Sequence, residues 1–320
     1  MTQQEHIRRI ADFLFRNANT VNLTGLYNGK AGLSLSLFVA SHFLQDENMG
    51  DTAFNLMQES MVIKNNDYSF ENGVPGIGYA LLYLIENNYF DADFDEVFGR
   101  QYNEIINVFE NIDKKPAMLV NHLTVIYFLS KVAQIKADKR IRIIMKKIFE
   151  GLELFLTIQF YDFVDFQYIG IKTDVLNIFK TYLKLVAYSG YTDFSRMVLN
   201  DYADLYRKGK VLSSFETGFY LNSIAGKHHL TGLEDVINDN MNHGLTNIYP
   251  FTLSVKDRID LSKLVQHLGL DPFSICKNLN SDRAIKEFLK TVDEKSNALG
   301  YGAGLGRLLI YSVNKDIELL

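Results

Sequence analysis

Glycine-rich turns punctuate this chain, and the fullest of them reads Phe70-Glu71-Asn72-Gly73-Val74-Pro75-Gly76-Ile77-Gly78. An apolar run from Tyr79 to Leu84 follows it directly. Glycine at a turn tolerates positive φ and lets two backbones come close together. An apolar run of this kind favours a buried helix. The stretch therefore predicts a tight turn that leads into a buried helix.

The same phrase occurs near both ends of the chain. The first copy is Gly25-Leu26-Tyr27-Asn28-Gly29-Lys30-Ala31-Gly32-Leu33, and the last is Gly300-Tyr301-Gly302-Ala303-Gly304-Leu305-Gly306. Gly29 and Gly73 are 44 residues apart, the length of two helices and two loops. Tyr301, which aligns with both glycines, lies 228 residues after Gly73. That distance holds about five more units, so the spacing predicts about seven helical hairpins in one closed repeat, with a count of six still open.

Helical periodicity dominates the rest of the chain, and no run has the sustained alternation of a strand. Leu33–Leu44 with Asp51–Ile63 and Lys172–Tyr188 with Asp193–Tyr206 are predicted helical pairs. No segment rich in Ser, Gly or Pro separates two regions of the chain. The sequence therefore predicts an all-α fold in a single domain over residues 1–320.

The composition excludes several classes of protein. The net charge is −5 over 320 residues, so nothing favours contact with nucleic-acid phosphates. Cys276 is the one cysteine, which rules out an intramolecular disulfide and fits a reducing compartment. No stretch reaches the roughly 20 apolar residues of a membrane span, and the start lacks the apolar core of a secretory signal. We therefore expect a cytoplasmic protein with no membrane span and no nucleic-acid partner.

A glycine turn followed by an apolar helix and repeated about every 45 residues resembles the lanthionine synthetase C-like family. The likeness is strongest over 25–87 and 297–313. It implies a toroid of helical hairpins whose inner helices surround a central cavity, and a precursor peptide or a peptide-maturation enzyme as partner. The glycines expected at the crowded turns and inner helix starts are Gly29, Gly32, Gly73, Gly76, Gly78, Gly302, Gly304 and Gly306.

The zinc chemistry of that family does not carry over to this chain. The family's enzymes resemble one another in a zinc site made of two cysteines and one histidine, from a Trp-Cys-x-Gly turn and a Cys-His-Gly turn. Here Phe70-Glu71-Asn72-Gly73 and Phe215-Glu216-Thr217-Gly218 have Glu at the cysteine position, and Asn242-His243-Gly244 keeps only the histidine. A site with two cysteine ligands cannot be built from one cysteine. We predict no metal site and no cofactor, and cyclase activity is not expected.

Three residues are the candidate catalytic groups. Glu71 and Glu216 could act as acid and base, or as oxygen ligands of a metal, at the rim or floor of the central cavity. The alternative for each is a glutamate that is stabilised near a helix N-terminus, beside capping serines. His243 is either a surviving cavity histidine or a solvated loop residue.

Other reactive side chains have plainer interpretations. We expect the paired His228 and His229 to be solvated in a loop, and His122 to be a hydrogen-bonded core residue. Cys276 is expected to be a small buried hydrophobic residue. The charged residues between Asp257 and Lys263, together with Asp271, predict a solvated helix face.

Three functions fit these observations. The chain could bind a ribosomally made peptide, or a partner maturation enzyme, without the zinc-dependent step. It could instead be a carbohydrate-active toroid in which Glu71 and Glu216 form a carboxylate pair, although it has no tryptophan on which to stack a sugar. A third alternative is an interaction protein that binds through its outer surface and has a cavity filled by side chains.

Overall fold

The computed structural model describes residues 3–112, 115–164, 173–246, 248, 253, 255–269, 299–302 and 304–314. All regular secondary structure in these ranges is helical, so the predicted all-α class is confirmed. A 3-10 turn, Ala18–Thr20, follows the first helix. The α-helices are α1 Gln3–Asn17, α2 Lys30–Leu44, α3 Glu47–Val62, α4 Val74–Glu86, α5 Phe94–Glu110, α6 Pro116–Asn121, α7 Val125–Ile135, α8 Lys139–Val164, α9 Thr173–Ser189, α10 Arg196–Arg207, α11 Phe215–His228, α12 Glu234–Thr246, α13 Val255–His267 and α14 Leu305–Val313.

The chain folds into two compact units. Met1–Ile105 and Tyr249–Leu320 form the first unit, and Ile106–Ile248 forms the second. The two ends of the chain thus belong to the same unit, and so do all three copies of the glycine phrase. The single domain and the closed toroid stay predictions.

Helix α2 is the centre of the first unit. It forms a hairpin with α3, as predicted, and it also packs against α4 and α14. Helix α1 lies against both α2 and α14, and α13 contacts α14. Three helices that each follow a glycine turn, α14, α2 and α4, are therefore neighbours. They are also strongly buried, which agrees with their nearly continuous apolar sequences.

Burial of α2 on several sides requires that its polar side chains be satisfied internally. The hydroxyl of Ser34 donates to the carbonyl oxygen of Ala53 in α3 at 2.6 Å. The hydroxyl of Ser36 donates to the carbonyl oxygen of Gly32 one turn earlier at 2.8 Å. A buried hydroxyl without a partner would cost about 1–3 kcal/mol. Serine is thus accommodated in α2 without that penalty.

Helix α3 begins earlier than the sequence pattern predicts. The segment Asp46–Gly50 is predicted as a turn, but the helix starts at Glu47. Asp46 is its N-cap, and a side-chain oxygen of Asp46 accepts a hydrogen bond from the backbone N–H of Met49 at 3.2 Å. An aspartate cap satisfies a backbone donor that would otherwise have no partner. This cap outweighs the low helix propensity of Gly50.

Alternate helices pack side by side in the second unit. Helix α9 packs against α7 and α11, while α10 packs against α8 and α12. Helices α11 and α12 form a close hairpin. The predicted pair Lys172–Tyr188 with Asp193–Tyr206 corresponds to α9 and α10. Each of these two helices packs more extensively against a helix two places away in the chain than against the other. Two rows of helices result, one made of α7, α9 and α11 and the other of α8, α10 and α12.

Candidate functional site

Three glycine turns meet in the first unit, and backbone hydrogen bonds join them. The backbone N–H of Tyr27 donates to the carbonyl oxygen of Glu71 at 2.7 Å, and the carbonyl oxygen of Tyr27 accepts from the N–H of Gly302 at 2.9 Å. Tyr27 is thus the middle member of a continuous arc. We call residues 23–29, 67–73 and 299–304, with Ala303 outside the described residues, the glycine-turn cluster.

The first two turns have the same construction. Lys30 N–H donates to the carbonyl oxygen of Leu23 at 2.8 Å, and Val74 N–H donates to that of Asp67 at 2.9 Å. Both donors and both acceptors are 44 residues apart, the repeat length expected from the sequence. The structure therefore confirms this repeat at the level of single hydrogen bonds. These bonds also occupy first-turn amides of α2 and α4, so those amides are not free to bind an anion.

Close approach, rather than positive φ, requires glycine at these turns. A Cβ on Gly32 would overlap the carbonyl oxygen of Leu26, and one on Gly76 would overlap that of Phe70. The φ angle of Gly29 is −125° and that of Gly73 is −104°, values that other residues adopt. The other predicted glycines, all of them buried, are Gly78, Gly302, Gly304 and Gly306.

The third turn differs from the predicted alignment. Helix α14 begins after Gly304, whereas α2 and α4 begin after Gly29 and Gly73. Gly304 is therefore the counterpart of the other two N-cap glycines, and Tyr301 lies three residues before it. Gly302, two residues before that N-cap, contacts the first turn instead, and a Cβ there would lie 2.6 Å from the Tyr27 ring.

A buried ion pair lies beside the third turn. Arg307, the third residue of α14, is fully buried. Its Nη2 donates to Oδ1 of Asp260 in α13 at 2.5 Å, and the other carboxylate oxygen of Asp260 accepts from Lys256 Nζ at 2.7 Å. The guanidinium carbon of Arg307 is 5.5 Å from the centre of the Tyr301 ring. The expectation that Asp260 belongs to a solvated helix face is therefore wrong.

Two tyrosines and Glu71 complete this site. The rings of Tyr27 and Tyr301 are 6.3 Å apart between centres. Burial raises the pKa of the Tyr27 hydroxyl, the Arg307 charge opposes that rise, and the Glu71 charge adds to it. Tyr27 and Glu71 are both partly exposed, whereas Tyr301 and Arg307 are buried. Partly exposed polar side chains thus lie next to a fully buried charge.

Glu216 lies in a different setting from Glu71. Glu71 is in a turn before its helix, but Phe215–Gly218 are already within α11, whose N-cap is Ser214. The apparent repeat of Phe-Glu-x-Gly is therefore not a structural one. A carboxylate oxygen of Glu216 accepts from Lys180 Nζ in α9 at 2.7 Å, with both side chains about one-third exposed. The two glutamates belong to different units, and their pairing stays a prediction.

The histidines differ from the loop residues predicted. His243 is exposed, but it lies within α12, and the buried residue at this point is Gly244, which packs against Phe215. His228 is in the last turn of α11 and His229 is its left-handed C-cap. His122 is partly exposed and its Nδ1 has no hydrogen-bond partner among the described residues, so the expected satisfied core histidine is not observed.

The second unit contains another polar cluster, which the sequence patterns did not indicate. Tyr182 donates its hydroxyl to Oε1 of Glu153 at 2.7 Å, and the N–H of Ser195 donates to the same oxygen at 2.9 Å. Burial raises the pKa of Glu153, and the bond from Tyr182 opposes that rise. The sequence signal for this cluster is the position of Glu153 in its helix, between Leu152 and Leu156, which are both apolar and buried.

No group of three His, Cys, Asp or Glu side chains in the described ranges could hold a metal ion. Cys276 lies outside those ranges. Within the described part of the chain, every helix is too short or too polar to cross a membrane. The sequence matches no known protein-family model, and no curated protein is significantly similar to it.

Proposed function

We propose that this chain is a helical toroid of the lanthionine synthetase C-like kind that binds a ribosomally made peptide during its maturation. Zinc-dependent cyclisation is not part of the proposal, because the stretches most like that family's two cysteine turns have Glu71 or Glu216 in one and Asn242 in the other, where the ligand cysteines would be. The protein would hold or present the peptide, and another enzyme would modify it.

The observation that carries the proposal is the arc of three turns. The first, second and last copies of the glycine phrase are joined through Tyr27, so the end of the repeat lies beside its beginning. Such contact is what closure of a ring of hairpins requires. The two rows of alternate helices in the second unit support the same arrangement of inner and outer helices. Peptide maturation then follows from likeness to the family, and needs its own test.

A groove beside the second glycine turn suits a peptide. Its volume is about 610 Å³, and it lies between the end of α3, the following loop, the start of α4 and helix α5. Val62 and Ile63 give it an exposed apolar edge, with 83% and 44% of their surfaces exposed. Lys64 and Arg100 supply positive charge, and Glu104 supplies negative charge. Apolar surface with a few charged groups is typical of sites that bind a chain segment.

The test is direct binding of short peptides that are encoded next to this chain's gene. Fluorescence anisotropy with labelled full-length peptides should give saturable binding by the full chain. Val62→Asp should weaken it about tenfold or more, because a charge would replace apolar contact. Leu212→Asp is the matched control, since Leu212 is 88% exposed and lies in the other unit.

Two results would contradict the proposal. One is the absence of binding by every neighbouring peptide. The other is tightly held, stoichiometric zinc in the purified protein, measured by mass spectrometry of the metal, because a working zinc site would restore the cyclase interpretation.

A further inference from the structure

Arg307 has more hydrogen-bonding capacity than the protein around it uses. Its side chain is fully buried, and Nη2 bonds to Asp260. Nε and Nη1 have no acceptor among the described residues. These two nitrogens carry three N–H groups. A buried charged donor without an acceptor is destabilising, and native proteins keep few of them.

The side chains bonded to one another around Arg307 carry a net positive charge. Lys256 and Arg307 are both cations, and both bond to the carboxylate of Asp260. These three side chains together carry one positive charge before the nearby Glu71 carboxylate is counted. A bound carboxylate would add one negative charge, whereas a phosphate would add about 1.5 to 2 at neutral pH. Arginine also matches the planar geometry of a carboxylate.

Tyr27, Tyr301 and Glu71 are the remaining groups of the site. Tyr27 is partly exposed, and its ring is next to that of Tyr301, which lies under the Arg307 guanidinium. The amides of Lys30 and Val74, in the first turns of α2 and α4, are bonded to loop carbonyls, whereas Nε and Nη1 of Arg307 have no acceptor among the described residues. The Glu71 charge also acts at this site and would repel a dianion more than a monoanion.

We infer that Arg307 binds a carboxylate through its Nε and Nη1 groups, in the glycine-turn cluster. A bound peptide supplies that carboxylate, from its C-terminus or an acidic side chain, and this part of the inference rests on the proposed function. Asp260 positions the guanidinium, while Tyr27 and Tyr301 form the apolar walls.

The experiment uses small probes and the full chain. Dissociation constants for acetate, acetamide, N-acetylalanine, N-acetylalanine amide and inorganic phosphate are measured by ligand-observed NMR at constant ionic strength. Acetate and N-acetylalanine should bind saturably, and the two neutral amides should not. Arg307→Lys should weaken carboxylate binding about tenfold or more, since it keeps the charge and removes Nε and Nη1. Arg16→Lys, at an exposed site in α1, should leave it unchanged.

Several results would overturn the inference. One is the absence of acetate binding by the unmodified chain, and another is equal affinity for acetamide and acetate. The others are binding of phosphate without binding of any carboxylate, and equal affinity of Arg307→Lys and the unmodified chain for acetate. The measurements on the unmodified chain remain decisive if Arg307→Lys does not fold. Carboxylate binding without binding of any neighbouring peptide would count against the proposed function and the peptide source only. Peptide binding without carboxylate binding would count against the Arg307 site only.

Discussion

The backbone N–H of Tyr27 donates to the carbonyl oxygen of Glu71 at 2.7 Å, and these two residues occupy the same position in successive repeats, 44 residues apart. Equivalent turns thus bond directly to each other through their backbones. Because Tyr27 also accepts from Gly302, the geometry of one turn fixes the positions of two others. Backbone contact of this kind leaves no space for side chains at the nearby glycines.

Gly76→Ala should therefore be strongly destabilising. The new Cβ would overlap the carbonyl oxygen of Phe70 and lie 2.8 Å from Leu26 Cβ, and neither the backbone nor a buried leucine can move freely. We expect a loss of about 3 kcal/mol or more in the free energy of unfolding, measured by urea denaturation.

The control for this change is Gly99→Ala in α5, where the nearest atom to a new Cβ is 4.0 Å away. Alanine is the better helix former, so Gly99→Ala should stabilise the protein by about 0.5–1 kcal/mol. Similar effects of the two substitutions would contradict the close packing of the turns.

Asp260→Asn should cost more than removal of its partner. The substitution leaves the Arg307 charge fully buried without its carboxylate, and breaking such a pair costs about 3–5 kcal/mol. Arg307→Met removes the buried charge itself and should cost less. Both values come from urea denaturation, and the opposite order would show that Arg307 contributes mainly through packing. Glu104→Gln, which breaks an exposed pair with Arg100, should change stability by less than about 0.5 kcal/mol.

The fold class and the turns could be predicted because both depend on local sequence. Helical periodicity gives α2 and α4, and a glycine phrase with 44-residue spacing gives the two equivalent turns. The start of α3 was missed because a single aspartate cap decided it. The alignment of the third turn was missed because that phrase has glycines at 300, 302, 304 and 306, and spacing alone does not show that Gly304 is the N-cap.

The charged part of the site could not be predicted for the same reason. Arg307 is an ordinary helix residue in sequence, and Asp260 belongs to a run of charges that usually faces water. Only the packing of α13 on α14 brings the two together and buries them. Likewise, the similarity of Phe-Glu-x-Gly at Glu71 and Glu216 did not reveal that one lies in a turn and the other in a helix.

Glu153→Gln should change how stability depends on pH. Burial raises the pKa of Glu153 above its usual 4.5, so the folded state holds this proton more tightly than the unfolded state. The contribution of Glu153 to stability is therefore greatest below about pH 4.5 and declines as the pH rises through its folded pKa. Glutamine is neutral at every pH and still offers an oxygen to Tyr182 and Ser195. We expect Glu153→Gln to have the higher Tm near pH 7.

This difference in Tm should shrink as the pH falls toward 4.5. Thermal melts at half-unit steps of pH would measure it. Glu104→Gln serves as the control, because Glu104 is 49% exposed and lies in the first unit. A gap that widens with acid would mean that the ionised form of Glu153 is the stabilising one.

Asp235→Asn should have the opposite pH dependence. Hydrogen bonds from Arg207, at 2.8 Å from Nε and 2.7 Å from Nη2, lower the pKa of Asp235 to about 2. A lowered pKa contributes stability above the usual value of 3.8, and that contribution disappears as the pH falls from 3.8 toward 2. Both side chains are about half exposed, so the pair is worth at most about 1 kcal/mol. Asp235→Asn should therefore lower stability slightly at pH 7 and progressively less as the pH falls through about 2, and 1 M salt should reduce the difference at pH 7. A salt-independent loss would instead point to the bond between Arg207 and the carbonyl oxygen of Gly232, which Asp235 helps to orient.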